Sequence, residues 1–443
     1  MRNTSVSRPH LAMRLFVFAL AQVFAGTSAL AATAEERIGE LERKLEESVK
    51  VINQLSQEVQ QLKGESAKAR PAAAAAPAPA STEALAKKVS DLEQQVSANA
   101  NRPEVDHGLD MHGFADVGFT AAGAGHTTGA KIGALDFYLT PKFTDRIKAL
   151  FELNFECCGD GAIGTDLERM QIGYTASDWM TLWAGRFHTP FGYWNTAFHH
   201  GAQLQTTIKR PQFLDFEDSG GILPVHTVGF WATGSGKTSG GRVGYDLYVG
   251  NAPTIKLGDP NVAGTGTLDP GLAGADGRGF TIGGNLHFDF RGALEGLSVG
   301  AHALTSKVVD SATTPDTTRL NMYGLWFVYL EDNWEVLAEQ YSFHNEDLSG
   351  TTGRHSSNAA YAQAGRQFGA WTPYVRYELT SLDQADAYFA QQQTGGSYRR
   401  FVGGLRYDLN PKTALKLEAQ HTKLTDRDTG EYTELRGQLA IRF

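Results

Sequence analysis

The sequence predicts an antiparallel β-barrel that crosses a membrane through about sixteen strands, preceded by an α-helical coiled coil. Three observations lead to this fold class. From His107 onward, segments of about ten residues alternate between apolar and polar side chains. Short turns and long loops alternate along the chain between these segments. Upstream of them, apolar residues recur every seven positions over four heptads.

Residues 1–31 are predicted to be a secretory signal peptide. Basic residues precede an apolar run from Leu15 to Gly26, and an Ala-Leu-Ala box ends at Ala31. The apolar run is shorter than the ~20 residues that a membrane-spanning helix needs. An uncleaved amphipathic anchor is the alternative, although such an anchor would normally lack the Ala-Leu-Ala box. We therefore expect an exported protein whose mature chain begins at Ala32.

Residues 32–69 are predicted to form a coiled coil in the periplasm. Its a and d positions make a narrow stripe, interrupted at Ser48, and a strict seven-residue repeat implies a left-handed supercoil. The seam consists of Ile38, Leu41, Leu45, Ile52, Leu55, Val59 and Leu62. An amphipathic helix lying on its own barrel is the alternative, but such helices have a wider apolar face. Isoleucine at a with leucine at d often favours dimers, so the seam alone leaves dimer and trimer open.

A Pro/Ala-rich linker follows at residues 70–81 and is expected to be extended and semi-rigid. Residues 82–102 have apolar residues at helical spacing and predict a second short helical segment. Pro103 ends this pattern, and residues 104–443 are assigned to the barrel.

The stretch Ile147–Glu156 illustrates the barrel pattern, with Phe151, Leu153 and Phe155 on one face and Glu152 and Asn154 on the other. About ten residues is the spanning length of a tilted membrane strand. A soluble β-sandwich is the alternative, but it would struggle to bury 24 phenylalanines on so many one-sided strands. The short turns are expected to face the periplasm and the long loops the outside.

The chain ends on a large apolar residue that is in register with the last predicted strand. Leu439, Ile441 and Phe443 share one face, with polar Gln438 and Arg442 on the other. This strand is expected to close the barrel against the first one, with its apolar face toward lipid, since a membrane strand has no free edge. The terminal aromatic resembles the signal by which the barrel assembly machinery recognises outer-membrane proteins.

Composition excludes several classes of function. A formal net charge of −9 argues against nucleic acid as a partner, because nucleic-acid binding needs a basic surface. The only two cysteines are the adjacent Cys157 and Cys158, for which a strained disulfide, an intersubunit bond and two free thiols all remain open. We predict no catalytic residues, no metal site and no cofactor.

The segment from Gly185 to Pro224 is too long to be only a turn. It begins with Gly-Arg-Phe-His-Thr-Pro-Phe-Gly, which resembles the third-loop region of porins of the phosphate-selective O/P type and related stalk-bearing porins. The resemblance implies a homotrimer in which this loop folds inward and narrows each channel. Phosphate selectivity in that family depends on a dense lining of basic residues. Residues 104–443 instead hold 27 basic and 38 acidic residues, a net charge of −11, which does not favour it.

Charges segregate along this loop, and we predict that they form the channel constriction. The basic group comes first, with Arg186, Lys209 and Arg210; the acidic group follows, with Asp215, Glu217 and Asp218. His188 is assigned to the same constriction. If the two groups face each other, they create a transverse field in a narrow passage of low dielectric constant. A solvated surface loop is the alternative.

The predicted function is therefore passive diffusion of small hydrophilic solutes or ions across the outer membrane through a water-filled channel. The barrel would contact outer-membrane lipid, and the coiled coil would lie in the periplasm. One alternative is a structural barrel whose coiled coil anchors the envelope to the cell wall or a periplasmic partner. Another is an insulating sheath for an electron carrier, which an inward-folded loop argues against.

Overall fold

The computed structural model describes residues 109–443 apart from 123–127, 158–162, 199–200, 260–261, 263, 273, 275–278, 313, 351 and 428. The predicted signal peptide, coiled coil, linker and second helical segment lie outside the described residues, as does Cys158. Within the described ranges, helices that are long and apolar enough to cross a membrane are absent.

The described chain forms a closed antiparallel barrel of sixteen long strands, which confirms the predicted barrel and its strand number. Each long strand pairs with its neighbour in sequence, and β1 pairs with both β2 and β18. Two further short strands, β8 and β9, form a hairpin in one long loop. The strands are β1 (Leu109–Ala122), β2 (Gly129–Pro141), β3 (Ile147–Cys157), β4 (Ile163–Ser177), β5 (Met180–His188), β6 (His226–Thr238), β7 (Gly241–Asn251), β8 (Thr254–Lys256), β9 (Thr267–Asp269), β10 (Phe280–Phe290), β11 (Leu297–Asp310), β12 (Thr317–Glu331), β13 (Trp334–Asp347), β14 (Arg354–Arg366), β15 (Trp371–Ser381), β16 (Tyr398–Asn410), β17 (Thr413–Thr425) and β18 (Thr429–Arg442).

Alternation of side chains explains why these segments form a barrel wall. In β15, every second residue is exposed and every other one is buried. Val375 and Tyr377 point outward from the wall, whereas Arg376 and Glu378, which alternate with them, are fully enclosed. A strand with a period of two can place its apolar set against lipid only by placing its polar set in the lumen.

Tight turns and long loops occupy opposite ends of the wall. Asp332 and Asn333 join β12 to β13 with φ angles of 53° and 63°, the left-handed backbone of a two-residue hairpin turn. At the other end, the chain between β7 and β10 contains the β8–β9 hairpin, and β8 pairs with the end of β11.

Several long connections contain more structure than the sequence predicts. Helix α1 (Trp194–Ala197) and a 3₁₀ turn (Gln212–Leu214) lie between β5 and β6, and helix α2 (Ala387–Ala390) lies between β15 and β16. A further 3₁₀ turn (Gly292–Leu294) follows β10. These elements are too short to produce a recognisable period. The sequence pattern predicts a long loop from His344 to Arg354, whereas β13 runs on to Asp347.

The C-terminal strand closes the barrel. Residues of β18 pair with β17 on one side and with β1 on the other, and Leu439 lies opposite Val117. The backbone N–H of Phe443 donates to the carbonyl of Gly113 at 3.0 Å, and the Gly113 N–H donates back at the same distance. The Phe443 ring packs edge-on against Phe137 with 5.9 Å between ring centres. Leu439, Ile441 and Phe443 all have exposed side chains on the outer surface.

Candidate functional site

The connection between β5 and β6, residues 189–225, folds into the barrel, and we call it the inner loop. Its entry is set by two glycines of the Gly185–Gly192 segment. Gly185 has a φ of 128° and Gly192 a φ of 60°. A β-carbon at Gly192 would overlap the carboxylate of Glu339 and the hydroxyl of Tyr341. Glycine is thus required there both by backbone conformation and by close approach to the wall.

Glu339 on β13 anchors the start of the inner loop. Its carboxylate accepts hydrogen bonds from the backbone N–H groups of Tyr193 at 3.1 Å and Trp194 at 2.7 Å. It also accepts from the hydroxyls of Tyr341 at 2.6 Å and Tyr361 at 2.7 Å. Four donors surround one buried carboxylate. They satisfy its lone pairs and hold α1 against the wall formed by β13 and β14.

The middle of the inner loop is held by charged side chains of β15 and β17. Arg376 donates to the hydroxyl of Thr207 at 3.0 Å and to the carbonyl of Lys209 at 2.8 Å. Lys416 donates to the carbonyl of Thr207 at 3.0 Å, and Glu418 accepts from the N–H of Ile208 at 2.9 Å. These lumen-facing charges therefore act largely as supports for loop backbone.

Apolar packing completes the attachment. Aromatic and aliphatic loop residues form one buried cluster with side chains of the wall. The loop contributes Phe191, Trp194, Phe213, Leu214, Ile222 and Leu223 to it, and each is at most 1% exposed. Phe213 packs against Tyr341 and Tyr361, so the cluster fills the side of the lumen next to β13 and β14.

Where the inner loop returns to the wall, acidic side chains surround His226 and Arg186. The imidazole of His226 lies between the carboxylates of Glu168 on β4 and Glu217 in the loop, at 2.8 Å from each. Arg186 on β5 pairs with Asp166 at 3.1 Å and with Glu168 at 3.5 Å. These charges neutralise each other within the wall and fix the end of the loop.

A cavity of about 190 Å³ remains between the inner loop and the opposite wall. Strands β1, β2, β3 and β18 form one side of it, and residues 202–219 of the loop form the other. Its charged lining residues are Asp116, Lys131, Glu156, Lys209, Arg210, Asp215 and Arg436. Four are basic and three are acidic, so the cavity lacks the acidic excess of the barrel as a whole.

The two loop charges Lys209 and Asp215, both on the loop side of this cavity, attract each other. Both lie outside the spanning strands but are enclosed by the barrel. Lys209 is exposed to the cavity and Asp215 is half-buried. The surrounding barrel partly desolvates both side chains, which lowers the pKa of Lys209 and raises the pKa of Asp215. Attraction between the two groups opposes both shifts and favours the charged form of each.

Arg210 is held beside the cavity by an aromatic ring. Its guanidinium lies 4.1 Å from the ring centre of Phe216 and donates to the side-chain oxygen of Asn195 at 3.2 Å. The guanidinium is therefore fixed in direction by stacking and one hydrogen bond.

The structure separates the seven residues predicted for the constriction into two groups. Lys209, Arg210 and Asp215 line the cavity. The other four are not among its lining residues. Arg186 and Glu217 belong to the ion-pair network described above, and His188 lies 3.6 Å from Glu152 on β3. Asp218 is exposed on the loop, and its side chain accepts from the N–H of Ser219.

Sequence reasoning missed the part of the cavity that the wall provides. Asp116, Lys131, Glu156 and Arg436 come from strands at the two ends of the barrel sequence. The sequence could have identified these four residues from two features together, their polar positions in alternating strands and the predicted closure of β18 onto β1. Asp116 is positioned by the amide of Gln438, which donates to it at 2.9 Å across that closure.

Comparison with known proteins identifies the fold. No protein-family model and no curated protein sequence matches the chain. Among solved structures, it is similar to the anion-selective porin from Comamonas acidovorans, with 14% identity, a TM-score of 0.51, and coverage of 76% of this chain and 99% of the porin. OmpF of Salmonella typhi in complex with daunomycin has 12% identity and a TM-score of 0.48, covering 76% of this chain and 97% of that one. The outer-membrane channel DcaP of Acinetobacter baumannii has 12% identity, the same coverages and a TM-score of 0.45. The first of these similarities assigns a porin-type barrel fold.

Proposed function

We propose that the protein is a passive outer-membrane porin, through which small hydrophilic solutes and ions diffuse along a loop-constricted, water-filled channel. The observation that carries this proposal is the inner loop, which reaches across to β13–β17 yet leaves a charged cavity against β1–β3 and β18. A sixteen-stranded barrel is wide enough for an aqueous passage. The proposal includes no enzymatic activity, metal or cofactor.

The ion preference of this channel should follow the charge of the residues that line the cavity, and not the net charge of the whole barrel. At ~0.1 M salt the Debye length is about 10 Å, so distant charges are screened while those lining a narrow passage are not. The lining has one more basic than acidic residue. We therefore propose weak anion preference, in place of the cation preference that the overall acidic excess would give.

The assembly proposed for the protein is a homotrimer in the outer membrane, inserted by the barrel assembly machinery with the coiled coil in the periplasm. The heptad seam supports self-association of the chain, and the trimer follows from the resemblance of the third-loop region to that of stalk-bearing porins. A purely structural, envelope-anchoring barrel is the alternative, and the predicted coiled coil of residues 32–69 favours it. The two differ in a measurable property, because an anchoring barrel need not conduct ions.

The test is the zero-current potential of the purified protein in a planar bilayer under a KCl gradient. The variant Lys131→Glu/Lys209→Glu changes the lining from four basic and three acidic residues to two and five. We expect it to shift the potential toward cation preference, and ~1 M salt to weaken the shift because screening then acts over about 3 Å. The matched control is Lys237→Glu, an exposed lysine at the end of β6. A protein that does not conduct favours the anchoring role, and an unchanged potential in the double variant excludes this cavity as the constriction.

A further inference from the structure

A second cavity, of about 540 Å³, lies at the long-loop end of β15 and β16, where the outer face of the wall meets the loop above it. It is separate from the inner loop. Its lining from the strands is amphipathic, with Tyr377 and Leu379 on β15 and Arg399 on β16. The remaining lining comes mainly from the rim around Leu382, Asp383 and Asp426.

The basic residue of this cavity faces outward, away from the lumen. Arg399 is exposed, whereas its neighbours Tyr398 and Arg400 are buried in the interior. Leu379 on β15 and Lys423 on β17 lie directly opposite Arg399 in the sheet, and Lys423 is also exposed. Cross-strand partners share a face of a sheet, so the two cations lie side by side on the outer surface.

The height of Arg399 on the wall matches a lipid head group. Eleven residues separate it from Asn410 at the short-turn end of β16. At ~3.3 Å per residue and a tilt of about 45°, that distance is roughly 25 Å along the membrane normal. The apolar band of a membrane barrel is also about 25 Å tall. Arg399 and Lys423 thus lie at the edge of that band, with exposed Leu379 beside Arg399 and exposed Tyr377 and Phe401 beneath.

The two acids that line this cavity, Asp383 and Asp426, are already hydrogen-bonded to other groups. Asp383 accepts from the imidazole of His355 at 2.7 Å and from the N–H of Ala385 at 2.9 Å. Asp426 accepts from the N–H of Ser397 at 2.8 Å. Glu431, opposite Lys423 on β18, lies 3.8 Å from His421. None of these carboxylates forms an ion pair with Arg399 or Lys423 within the part of the chain that the structure describes.

We propose that this cleft binds the phosphorylated head group of an anionic lipid in the leaflet at the long-loop end of the barrel. A guanidinium binds phosphate oxygens through two parallel hydrogen bonds, and an adjacent ammonium adds a point charge. The acyl chains lie along Tyr377, Leu379 and Phe401. The apolar surface below the cations identifies a lipid, and not free phosphate, as the occupant. The inference rests on the proposed membrane location and is independent of conduction.

The experiment measures binding of lipid A, a phosphorylated lipid, to the full-length folded protein in non-ionic detergent. The test variant is Arg399→Ala/Lys423→Ala. A second variant, Arg399→Lys/Lys423→Arg, keeps both positive charges and tests whether charge alone is sufficient for binding. Arg354→Ala is the matched control, because Arg354 is 85% exposed at the same end of β14. Each lost cation should weaken binding about five-fold, so the double alanine variant should bind about 25-fold more weakly. The control and the charge-retaining variant should bind as wild type does.

Three outcomes overturn the proposal. The first is that the double alanine variant binds lipid A within two-fold of wild type, and the second is that Arg354→Ala loses as much affinity as the double variant. The third is that phosphatidylcholine, which has no net charge, or inorganic phosphate binds as tightly as lipid A. A folded barrel in each variant is verified by its heat-modifiable migration on a gel. Failure here leaves the porin function untouched, since conduction is measured separately.

Discussion

Removing the carboxylate of Glu339 should release the start of the inner loop and widen the channel. Glu339 receives four hydrogen bonds, two of them from the backbone N–H groups of Tyr193 and Trp194. In Glu339→Ala these two amides are left without a partner in a buried site, at a cost of about 1–3 kcal/mol each and roughly 2–6 kcal/mol together. Even about 2 kcal/mol changes the ratio of detached to docked loop by about 30-fold.

The rest of the barrel should survive this substitution. Arg376, Lys416 and Glu418 hold the middle of the loop independently of Glu339. We therefore expect a folded, heat-modifiable barrel whose loop detaches near α1. Glu339→Gln keeps one acceptor oxygen and should have a smaller effect than the alanine variant.

The assay is single-channel conductance in planar bilayers. Glu339→Ala should increase the conductance and the current noise, because a partly detached loop leaves a wider and more variable passage. The control is Glu331→Ala, which removes an exposed carboxylate from the last residue of β12, next to the short turn. If the conductance and noise of Glu339→Ala equal those of wild type and of the control, the inner loop does not limit the channel.

Three further predictions concern folding and assembly. Arg376→Met leaves the buried carboxylate of Glu378 without its 2.8 Å partner and should cost about 3–5 kcal/mol, measured as a lower unfolding temperature of the barrel; an unchanged temperature contradicts the support role of Arg376. Deleting Phe443 removes two closing hydrogen bonds and the terminal aromatic, so the heat-modifiable barrel should be lost from membranes. Replacing Ile441 with Lys would cost ~2–4 kcal/mol at the membrane midplane and less near an interface, so this variant should fail mostly through lost recognition by the assembly machinery. A normal barrel in both variants refutes the C-terminal insertion signal. Crosslinking of the purified protein with a bifunctional amine-reactive reagent should link protomers into trimers. Crosslinking that yields only monomers excludes the coiled coil, and a product limited to dimers excludes the trimer.

Alternation was sufficient to predict the barrel because each strand has one lipid face and one lumen face. Segments such as Ile147–Glu156 and Trp371–Thr380 show this period in the sequence alone, and the structure confirms both as wall strands. Short elements escaped prediction for the opposite reason. The three-residue strands β8 and β9 and the single-turn helices contain too few residues to establish a period, and contacts with the rest of the barrel position them.

The candidate site was predictable only on its loop side. The length of residues 189–225 and the glycines at Gly185 and Gly192 predict an unusual loop, but an irregular loop has no period that tells which charges face the passage. Lys209 and Arg186 look equivalent in the sequence, yet Arg186 is bound by Asp166 and Glu168 while Lys209 faces the cavity. The wall side depends on strands that meet only when β18 closes onto β1, as Arg436 and Asp116 do.

Cysteine accessibility at the constriction tests the central claim most directly. In a background with Cys157 and Cys158 replaced by serine, Lys209→Cys should react from the aqueous phase with a bulky methanethiosulfonate reagent and reduce single-channel conductance in discrete steps. Phe213→Cys, on the buried side of the same loop, should remain unmodified with its conductance unchanged. If Lys209→Cys is labelled without any change in conductance, or if Phe213→Cys is the position that blocks current, the passage does not run between the inner loop and the wall formed by β1–β3 and β18.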